Sequence, residues 1–279
     1  MALFTSYDGT TLAYRRAGAG PPLVCLSGGP GRTPEYLGDL GGLSDLRELI
    51  LPDTRGTGQS AAPADPGTYR CDRLTRDVEA LRAELGLERI DLLGHSAGGI
   101  VALLYAAAYP QRINRLVLLS PGLRPLGLQL TDAQQQEAMR LRSAEPWYEQ
   151  AQAAVQAADA GDDSADTRQK YMPFFYGRWD EVARAHARSG LSEQAAAVQA
   201  GFYAPEAFDP AATRAALAKL AAPVMLYTGG VEISPTPELA AEAVALFPGW
   251  ELQVRPGAGH YPWLDDPAWF TSTLLAFLD

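Results

Sequence analysis

Short apolar runs alternate with amphipathic stretches along most of the chain, and this alternation predicts strands and helices in turn. Short runs rich in leucine, valine and isoleucine are typical of buried strands. The predicted strands lie at residues 3–6, 11–16, 22–26, 48–51, 89–93, 115–119, 223–228 and 250–254. Helical patterns lie at residues 74–85, 100–109, 237–246 and 267–278. This order of elements predicts an α/β fold with a doubly wound, mostly parallel sheet.

The alternation stops between residues 123 and 213. This stretch is rich in alanine, glutamine and glutamate, and it carries helical patterns near residues 131–143, 146–160, 179–189 and 191–200. An acidic break at residues 161–164, Gly-Asp-Asp-Ser, follows the second pattern. The simplest organisation is an α/β core made of residues 1–122 and 214–279, interrupted by a helical insertion at residues 123–213, which we call the cap.

The composition is that of a globular protein. The chain has 279 residues, of which 47% are hydrophobic, and 23 Lys+Arg against 33 Asp+Glu give a net charge of -10. This charge disfavours docking on nucleic acid or on an anionic membrane. We expect no signal peptide and no membrane-spanning helix. Two cysteines without an export signal, Cys25 and Cys71, predict a cytoplasmic location, and the sequence leaves a disulfide between them open.

The candidate chemistry is concentrated in residues 94–98, Gly-His-Ser-Ala-Gly, between a predicted strand and a predicted helix. We call these residues the elbow. Gly-x-Ser-x-Gly in this setting predicts a tight turn that exposes the serine hydroxyl at the carboxyl edge of the sheet. The positions two before and two after the serine come close together, which favours glycine at both. The pentapeptide also arises by chance, but its flanks favour Ser96 as a nucleophile at a helix N-terminus.

A serine nucleophile needs a base, and the chain has 3 histidines. His95 lies within the elbow, where we expect it to point away from the Ser96 hydroxyl and to serve packing. His186 lies in the cap, where we expect a solvated position. His260 follows the last predicted strand, and the chain order nucleophile, acid, histidine predicts it as the general base.

The orienting carboxylate is expected in the loop after the strand at residues 223–228. Glu232 is the only carboxylate there before Glu238, which belongs to the next helical pattern. The alternative for Glu232 is a solvated loop position. No carboxylate closely follows the strand at residues 115–119, so the loop after that strand offers no second candidate.

Two backbone N–H groups are expected to stabilise the oxyanion. One belongs to Ala97, directly after the nucleophile. The other is assigned to Gly29 in residues 27–31, Ser-Gly-Gly-Pro-Gly, which we call the oxyanion loop, because Pro30 has no N–H. A phosphate-binding interpretation of this loop lacks the Gly-Lys-Ser/Thr ending. No set of histidine, cysteine and carboxylate residues has metal-ligand spacing, so we expect no metal and no cofactor.

The oxyanion loop resembles the His-Gly-Gly-Pro-Gly segment of proline iminopeptidases, which are serine aminopeptidases of the α/β-hydrolase superfamily. Residues 53–60, Asp-Thr-Arg-Gly-Thr-Gly-Gln-Ser, are similar to that family's Asp-x-Arg-Gly-x-Gly-x-Ser segment. We interpret Asp53 and Arg55 as residues that brace the loop beside the oxyanion hole, and the alternative is a catalytic role. With the elbow and the Gly-His pair near the C-terminus, the resemblance covers the core. Two positions depart from the family: Ser27 stands where it has histidine, and its usual elbow is Gly-Gly-Ser-Trp-Gly.

The resemblance implies an α/β-hydrolase fold and a covalent acyl-enzyme. Similar loops also occur in esterases, lactonases and carbon–carbon bond hydrolases. The sequence therefore predicts a serine hydrolase acting on a small molecule or short peptide. It leaves open an aminopeptidase and an acyl hydrolase of a small neutral metabolite. A catalytically silent ligand-binding protein on the same fold is the alternative from another class.

The cap is expected to close over Ser96. Its aromatic residues Trp147, Phe175 and Trp179 are predicted to contact the substrate, and the alternative is that they only pack the cap against the core. In the peptidases that the chain resembles, acidic cap residues hold the free α-amino group. The cap has 13 acidic and 8 basic residues, which would favour a cationic substrate.

Overall fold

The sheet contains the strands that the apolar runs predict. The computed structural model describes residues 1–162, 164–190 and 195–279, apart from the side chain of Pro205. Within these ranges eight strands form one sheet in the order β1-β2-β4-β3-β5-β6-β7-β8. The strands are β1 Ala2–Thr5, β2 Thr11–Ala17, β3 Pro22–Leu26, β4 Glu48–Pro52, β5 Ile90–His95, β6 Ile113–Leu119, β7 Val224–Gly229 and β8 Glu251–Arg255. The predicted doubly wound architecture is confirmed.

The sheet is antiparallel only at one edge. The predicted hairpin pairs β1 with β2, and β2 runs antiparallel to β4. The other neighbouring strands pair in parallel. Parallel strands bring their carboxyl ends to the same edge of a sheet, and the crevice at that edge is the usual position of a ligand site in such folds.

Helices cover both faces of the sheet. They are α1 Cys71–Glu84, α2 Ala97–Ala108, α3 Asp132–Arg140, α4 Tyr148–Asp159, α5 Ala165–Tyr171, α6 Glu181–Ser189, α7 Ala196–Phe202, α8 Pro210–Leu217, α9 Pro237–Ala245, α10 Pro262–Asp265 and α11 Pro267–Leu278. Alternate strand residues face opposite sides, as the period of two requires. Val24 and Leu26 belong to the apolar cluster with α1 and α2, whereas Leu23 and Cys25 belong to the cluster with α11.

The described part of the cap contains helices near the predicted positions and two that its pattern did not indicate, α5 and the start of α8. Residues 191–194 of the helical pattern at 191–200 and Asp163 of the acidic break lie outside the described residues. Helix α8 crosses the predicted boundary at residue 213, and its Leu217 belongs to the same apolar cluster as α2. The division into core and cap stays a prediction.

Both cysteines are buried free thiols. Cys25 lies in β3 within the core, as expected of a small apolar residue. Among the described residues, no helix has the length and apolarity that crossing a bilayer requires.

Candidate active site

The elbow is a strand-to-helix turn that only small residues fit. β5 ends at His95, α2 begins at Ala97, and Ser96 between them has φ 56° and ψ -118°. A Cβ on Gly94 would lie 2.5 Å from the carbonyl oxygen of Gly98. A Cβ on Gly98 would lie 2.3 Å from the carbonyl oxygen of Leu26. The two glycines are therefore required by the turn, and the left-handed backbone of Ser96 is strain of the kind found at functional sites.

A buried histidine–carboxylate pair lies at the same edge of the sheet. His260 Nδ1 is 2.8 Å from Glu232 Oε2, and the two residues are 6% and 1% exposed. The second carboxylate oxygen, Oε1, accepts hydrogen bonds from the N–H groups of Ile233 and Ser234, each at 3.0 Å. With both of its oxygens bonded, Glu232 can hold the imidazole in one orientation and stabilise its protonated form.

The elbow brings Ser96 into the neighbourhood of this pair. The rings of His95 and His260 lie 4.7 Å apart, and His95 Nε2 donates a hydrogen bond of 2.9 Å to the carbonyl oxygen of His260. Among the described residues, the Ser96 hydroxyl makes no direct hydrogen bond to the His260 ring. Catalytic hydrogen bonds of this kind are often long without substrate and shorten in the substrate complex.

The oxyanion loop lies directly against the nucleophile. A Cβ on Gly28 would lie 2.8 Å from Ser96 Cβ. The loop closes on itself, since Ser27 Oγ donates to the carbonyl oxygen of Arg32 at 2.8 Å. The N–H of Gly28 donates to the Tyr36 hydroxyl at 2.7 Å. Within the described part of the chain, the N–H groups of Gly29 and Ala97 donate to no protein acceptor, so both are free to bind an oxyanion.

Of the three aromatic cap residues predicted to contact substrate, Phe175 lies beside the histidine. Its ring is 5.6 Å from the His260 ring in an edge-to-face arrangement. Trp147 stacks edge-on against Phe174 at 5.1 Å, and Trp179 contacts Tyr176 at 5.3 Å. The role of all three residues in substrate binding stays a prediction.

The expectation that His186 is solvated is wrong. Its Nδ1 is 2.8 Å from the Tyr176 hydroxyl, and its Nε2 donates to the carbonyl oxygen of Tyr36 at 3.0 Å. Burial, and next the positive charge of Arg32, lower the pKa of His186 to about 4. Only the three-dimensional arrangement shows this, because α6 turns that face toward Tyr36 and Tyr176 rather than toward water.

Asp53 and Arg55 brace the loop after β4. Arg55 is fully buried, donates to Asp8 at 2.7 Å and forms a two-point ion pair with Asp77 of α1. Asp53 accepts a hydrogen bond from the N–H of Gln59 at 2.8 Å, and burial raises the pKa of its carboxyl. These contacts fit the bracing role expected of both residues.

Two further polar side chains near the site carry no local sequence signal. Asp265 Oδ2 accepts from the N–H of Gly259 at 2.8 Å and from that of Gly177 at 3.1 Å. Arg142 is 5% exposed and donates to the carbonyl oxygens of Tyr176 and Gly177 at 2.9 and 3.2 Å. Each of them also binds a backbone group far away in the sequence, Gly177 for Asp265 and Tyr176 for Arg142, so no local spacing indicates them. Asp265 thereby joins the cap to the loop that carries His260, whereas Arg142 bonds two carbonyl groups within the cap.

The comparisons with known proteins identify the family. A family model described as the alpha/beta hydrolase fold matches residues 21–267. The chain belongs to the α/β-hydrolase family. This α/β-hydrolase is 27% identical to a proline iminopeptidase of Levilactobacillus brevis, over 92% of this chain and 88% of that protein. The resemblance to proline iminopeptidases is thus confirmed over nearly the whole length.

Two other similarities broaden the range of relatives. The α/β-hydrolase is 39% identical to a cis-3-alkyl-4-alkyloxetan-2-one decarboxylase of Shewanella oneidensis, over 43% of this chain and only 38% of that protein's length. It superposes on a crystal structure of an esterase from Rhodococcus sp. with a TM-score of 0.76 and 25% identity, covering 99% of this chain and 98% of that one. The relatives reported are thus named as a peptidase, a decarboxylase and an esterase, and the chain spans little more than a third of the length of the first of the curated relatives it matches.

Proposed function

We propose that this α/β-hydrolase cleaves an acyl bond with Ser96 as nucleophile, His260 as general base and Glu232 as the orienting carboxylate. The observation that carries the proposal is the buried 2.8 Å contact between His260 Nδ1 and Glu232 Oε2, beside an elbow that presents a serine. A histidine held by a carboxylate next to a strained nucleophile turn is the arrangement that activates a serine hydroxyl.

The reaction follows from the atoms available. His260 accepts the Ser96 proton at Nε2 as Oγ attacks the substrate carbonyl, while Glu232 stabilises the imidazolium through Nδ1–H. The N–H groups of Gly29 and Ala97 bind the oxyanion. His260 then protonates the leaving group, and the acyl chain remains on Oγ. Water, deprotonated by the same imidazole, attacks this ester and releases the acid and Ser96.

The contacts within the oxyanion loop support Gly29 as one of the donors. The N–H of Gly28 is already bound to the Tyr36 hydroxyl at 2.7 Å, and Pro30 has no N–H. Gly29 is the residue between them, and its N–H has no protein acceptor among the described residues. This supports Gly29, together with Ala97, as the pair of donors.

Two substrate classes are supported by different observations. The proline iminopeptidase relative, matched over 92% of this chain, favours an aminopeptidase that releases an N-terminal residue. The cap favours an ester or another neutral acyl substrate, because none of its carboxylates among the described residues is buried. Several of them cap helices or pair with arginine, as Asp180 and Glu145 do. Asp163 and Glu193 of the cap lie outside the described residues.

The catalytic proposal is tested by covalent labelling. Diethyl p-nitrophenyl phosphate should add one phosphoryl group to the wild-type protein, seen by intact mass, and none to Ser96→Ala. Ser272→Ala is the matched control, because Ser272 is exposed on α11 and bonds only to a local carbonyl. Ser96→Ala should also lower kcat by several orders of magnitude. Labelling that persists in Ser96→Ala would refute the assignment.

The substrate class is tested by three substrates in parallel. An aminopeptidase should cleave prolyl-naphthylamide and should fail on its N-acetylated form, because the free amine is then lost. An esterase should hydrolyse p-nitrophenyl butyrate and neither amide. Equal kcat/KM for the two naphthylamides, or ester turnover alone, excludes the aminopeptidase.

A further inference from the structure

We infer that Tyr36 and His95 are positioning residues that couple the oxyanion loop to the catalytic histidine. The inference rests on the proposed function, since it concerns how that site is held. Neither residue contacts the reacting atoms. Each forms a link in one hydrogen-bonded path that joins the two halves of the site through the residue preceding the nucleophile.

The path is continuous and short. The N–H of Gly28 donates to the Tyr36 hydroxyl at 2.7 Å, and that hydroxyl lies 2.6 Å from His95 Nδ1. His95 Nε2 lies 2.9 Å from the carbonyl oxygen of His260. Tyr36 is 5% exposed and His95 is 1% exposed, so water does not compete for these bonds. In such an environment a lost partner leaves a buried polar group unpaired.

Chemistry determines the direction of every bond along this path. The carbonyl oxygen of His260 can only accept, so His95 must carry a proton on Nε2. Burial, and next the nearby His260, lower the pKa of His95 well below its ordinary value, so the ring is neutral and Nδ1 is an acceptor. The Tyr36 O–H therefore donates to His95 and its oxygen accepts from Gly28. One proton arrangement satisfies all of these groups.

Tyr36 is itself held in place from the cap. Its carbonyl oxygen accepts a hydrogen bond of 3.0 Å from Nε2 of His186 in α6. The guanidinium of Arg32 lies 4.1 Å from the centre of its ring. The tyrosine is thus held at its backbone and at its ring, and its hydroxyl anchors the oxyanion loop through Gly28.

The path positions the two groups whose relative placement the reaction requires, the oxyanion loop and the imidazole of His260. Gly28 precedes Gly29, the proposed oxyanion donor, and lies against Ser96. The carbonyl that His95 holds belongs to His260, whose ring takes the serine proton. A misplacement of about 1 Å in such a site costs on the order of 10²-fold in rate. Coupling the oxyanion loop to the base through His95 keeps both in position relative to Ser96.

The test compares three tyrosine-to-phenylalanine variants. Tyr36→Phe removes the central hydroxyl. Tyr105→Phe also removes a buried hydroxyl and its 2.8 Å hydrogen bond, to Glu79, but far along α2 from the elbow. Tyr227→Phe removes a buried hydroxyl that has no partner among the described residues. The three variants separate the loss of this path from the general cost of losing a buried hydroxyl.

We expect Tyr36→Phe to lower kcat for p-nitrophenyl butyrate and the rate of labelling by diethyl p-nitrophenyl phosphate by about tenfold or more, with KM changed less than about twofold. Tyr105→Phe should lower Tm comparably and leave kcat unchanged. Tyr227→Phe should change neither. Equal losses of kcat in Tyr36→Phe and Tyr105→Phe, or an unchanged kcat in Tyr36→Phe, would overturn the inference.

A second variant tests the path at its other link. A leucine side chain neither accepts from the Tyr36 hydroxyl nor donates to the His260 carbonyl, so His95→Leu cuts the path at both hydrogen bonds of this ring. Tyr36→Phe added to His95→Leu should then lower kcat by less than about twofold more, because residues of one network are not additive. Full additivity of the two substitutions contradicts the path, and so does a wild-type kcat in His95→Leu.

The labelling reaction separates this inference from the proposed function. A wild-type protein that takes up no organophosphate overturns the proposed function and the inference with it. A wild-type protein that is labelled at Ser96, beside a Tyr36→Phe variant labelled at the same rate, overturns the inference alone.

Discussion

The backbone N–H of His260 donates a hydrogen bond of 2.8 Å to the carbonyl oxygen of Phe175. This bond joins the candidate base to the cap, and the neighbouring Gly259 also packs closely against the cap. A Cβ on Gly259 would lie 2.7 Å from the same carbonyl oxygen. The cap is therefore bonded to the loop that carries His260, and the position of His260 depends on residues 175–177 as well as on the core.

Two adjacent phenylalanines, Phe174 and Phe175, allow packing and substrate binding to be tested separately. Phe174 is fully buried between Trp147 and Tyr148, so Phe174→Ala should cost about 3–5 kcal/mol in the free energy of unfolding. Phe175 is only half-buried and lies beside the His260 ring. We expect Phe175→Ala to cost less stability but to change KM or substrate preference. Urea unfolding and steady-state kinetics of both variants measure the two effects.

The contrary outcome is equally clear. A Phe175→Ala variant with an altered Tm and with unchanged KM and substrate preference would make Phe175 a packing residue only. The same comparison applies to Trp179→Ala, whose ring contacts Tyr176.

Glu232→Gln should keep the fold and lower kcat by roughly 10²–10⁴-fold, the scale seen when a triad acid is neutralised. The amide retains a hydrogen bond to His260 but cannot stabilise its positive charge. Glu238→Gln makes the same chemical change on the exposed start of α9 and should leave kcat unchanged. A near-wild-type kcat in Glu232→Gln would move the acid to another carboxylate, with Asp265 and Asp209 the next to be replaced.

Gly28→Ala should lower kcat/KM by at least about tenfold, because a 1 Å displacement of an oxyanion loop costs more than that. The added Cβ would lie 2.8 Å from Ser96 Cβ and 3.3 Å from its Oγ, so the loop or the nucleophile must move. Gly67→Ala is the control, since its Cβ would meet only the Asp65 side chain at 3.1 Å, at an exposed position. Equal kcat/KM for the two variants would show that the oxyanion loop accommodates the added methyl group without loss of activity.

His186 should make the protein sensitive to mild acid. Its pKa is about 4 in the folded protein, mainly because of burial, against 6.5 as the ordinary value. Above pH 6.5 the ring is neutral in both states. As the pH falls from 6.5 toward 4, His186 becomes protonated in the unfolded chain but stays neutral in the folded chain. The free energy of unfolding therefore decreases over that pH range.

The size of this effect is roughly 2–3 kcal/mol between pH 7 and pH 4.5, at 1.36 kcal/mol per pKa unit. His186→Gln removes the titrating group, so the fall in unfolding free energy across this range should be smaller in the variant by that amount. Urea titrations of both proteins at the two pH values measure it. Parallel pH profiles for the wild type and His186→Gln would contradict the prediction.

The sequence alone determined the features that depend on neighbouring residues. The core strands are recognisable because they carry short runs of apolar residues. The elbow is recognisable because its turn excludes a Cβ at Gly94 and Gly98. The hypothesis that Ser96 is the nucleophile follows from its position in that turn. His260 follows from chain order among three histidines. The cap was visible only as an interruption of the alternation.

The tertiary structure decided what depends on residues far apart in the chain. Tyr36 and His95 are 59 positions apart, and His95 and His260 are 165 apart, yet each pair is joined by one hydrogen bond. No local spacing indicates such partners, because the packing of separate elements brings them together. For the same reason the burial of His186 could not be predicted from the sequence. A helical pattern shows which residues share a face, but only the packed structure shows what that face contacts.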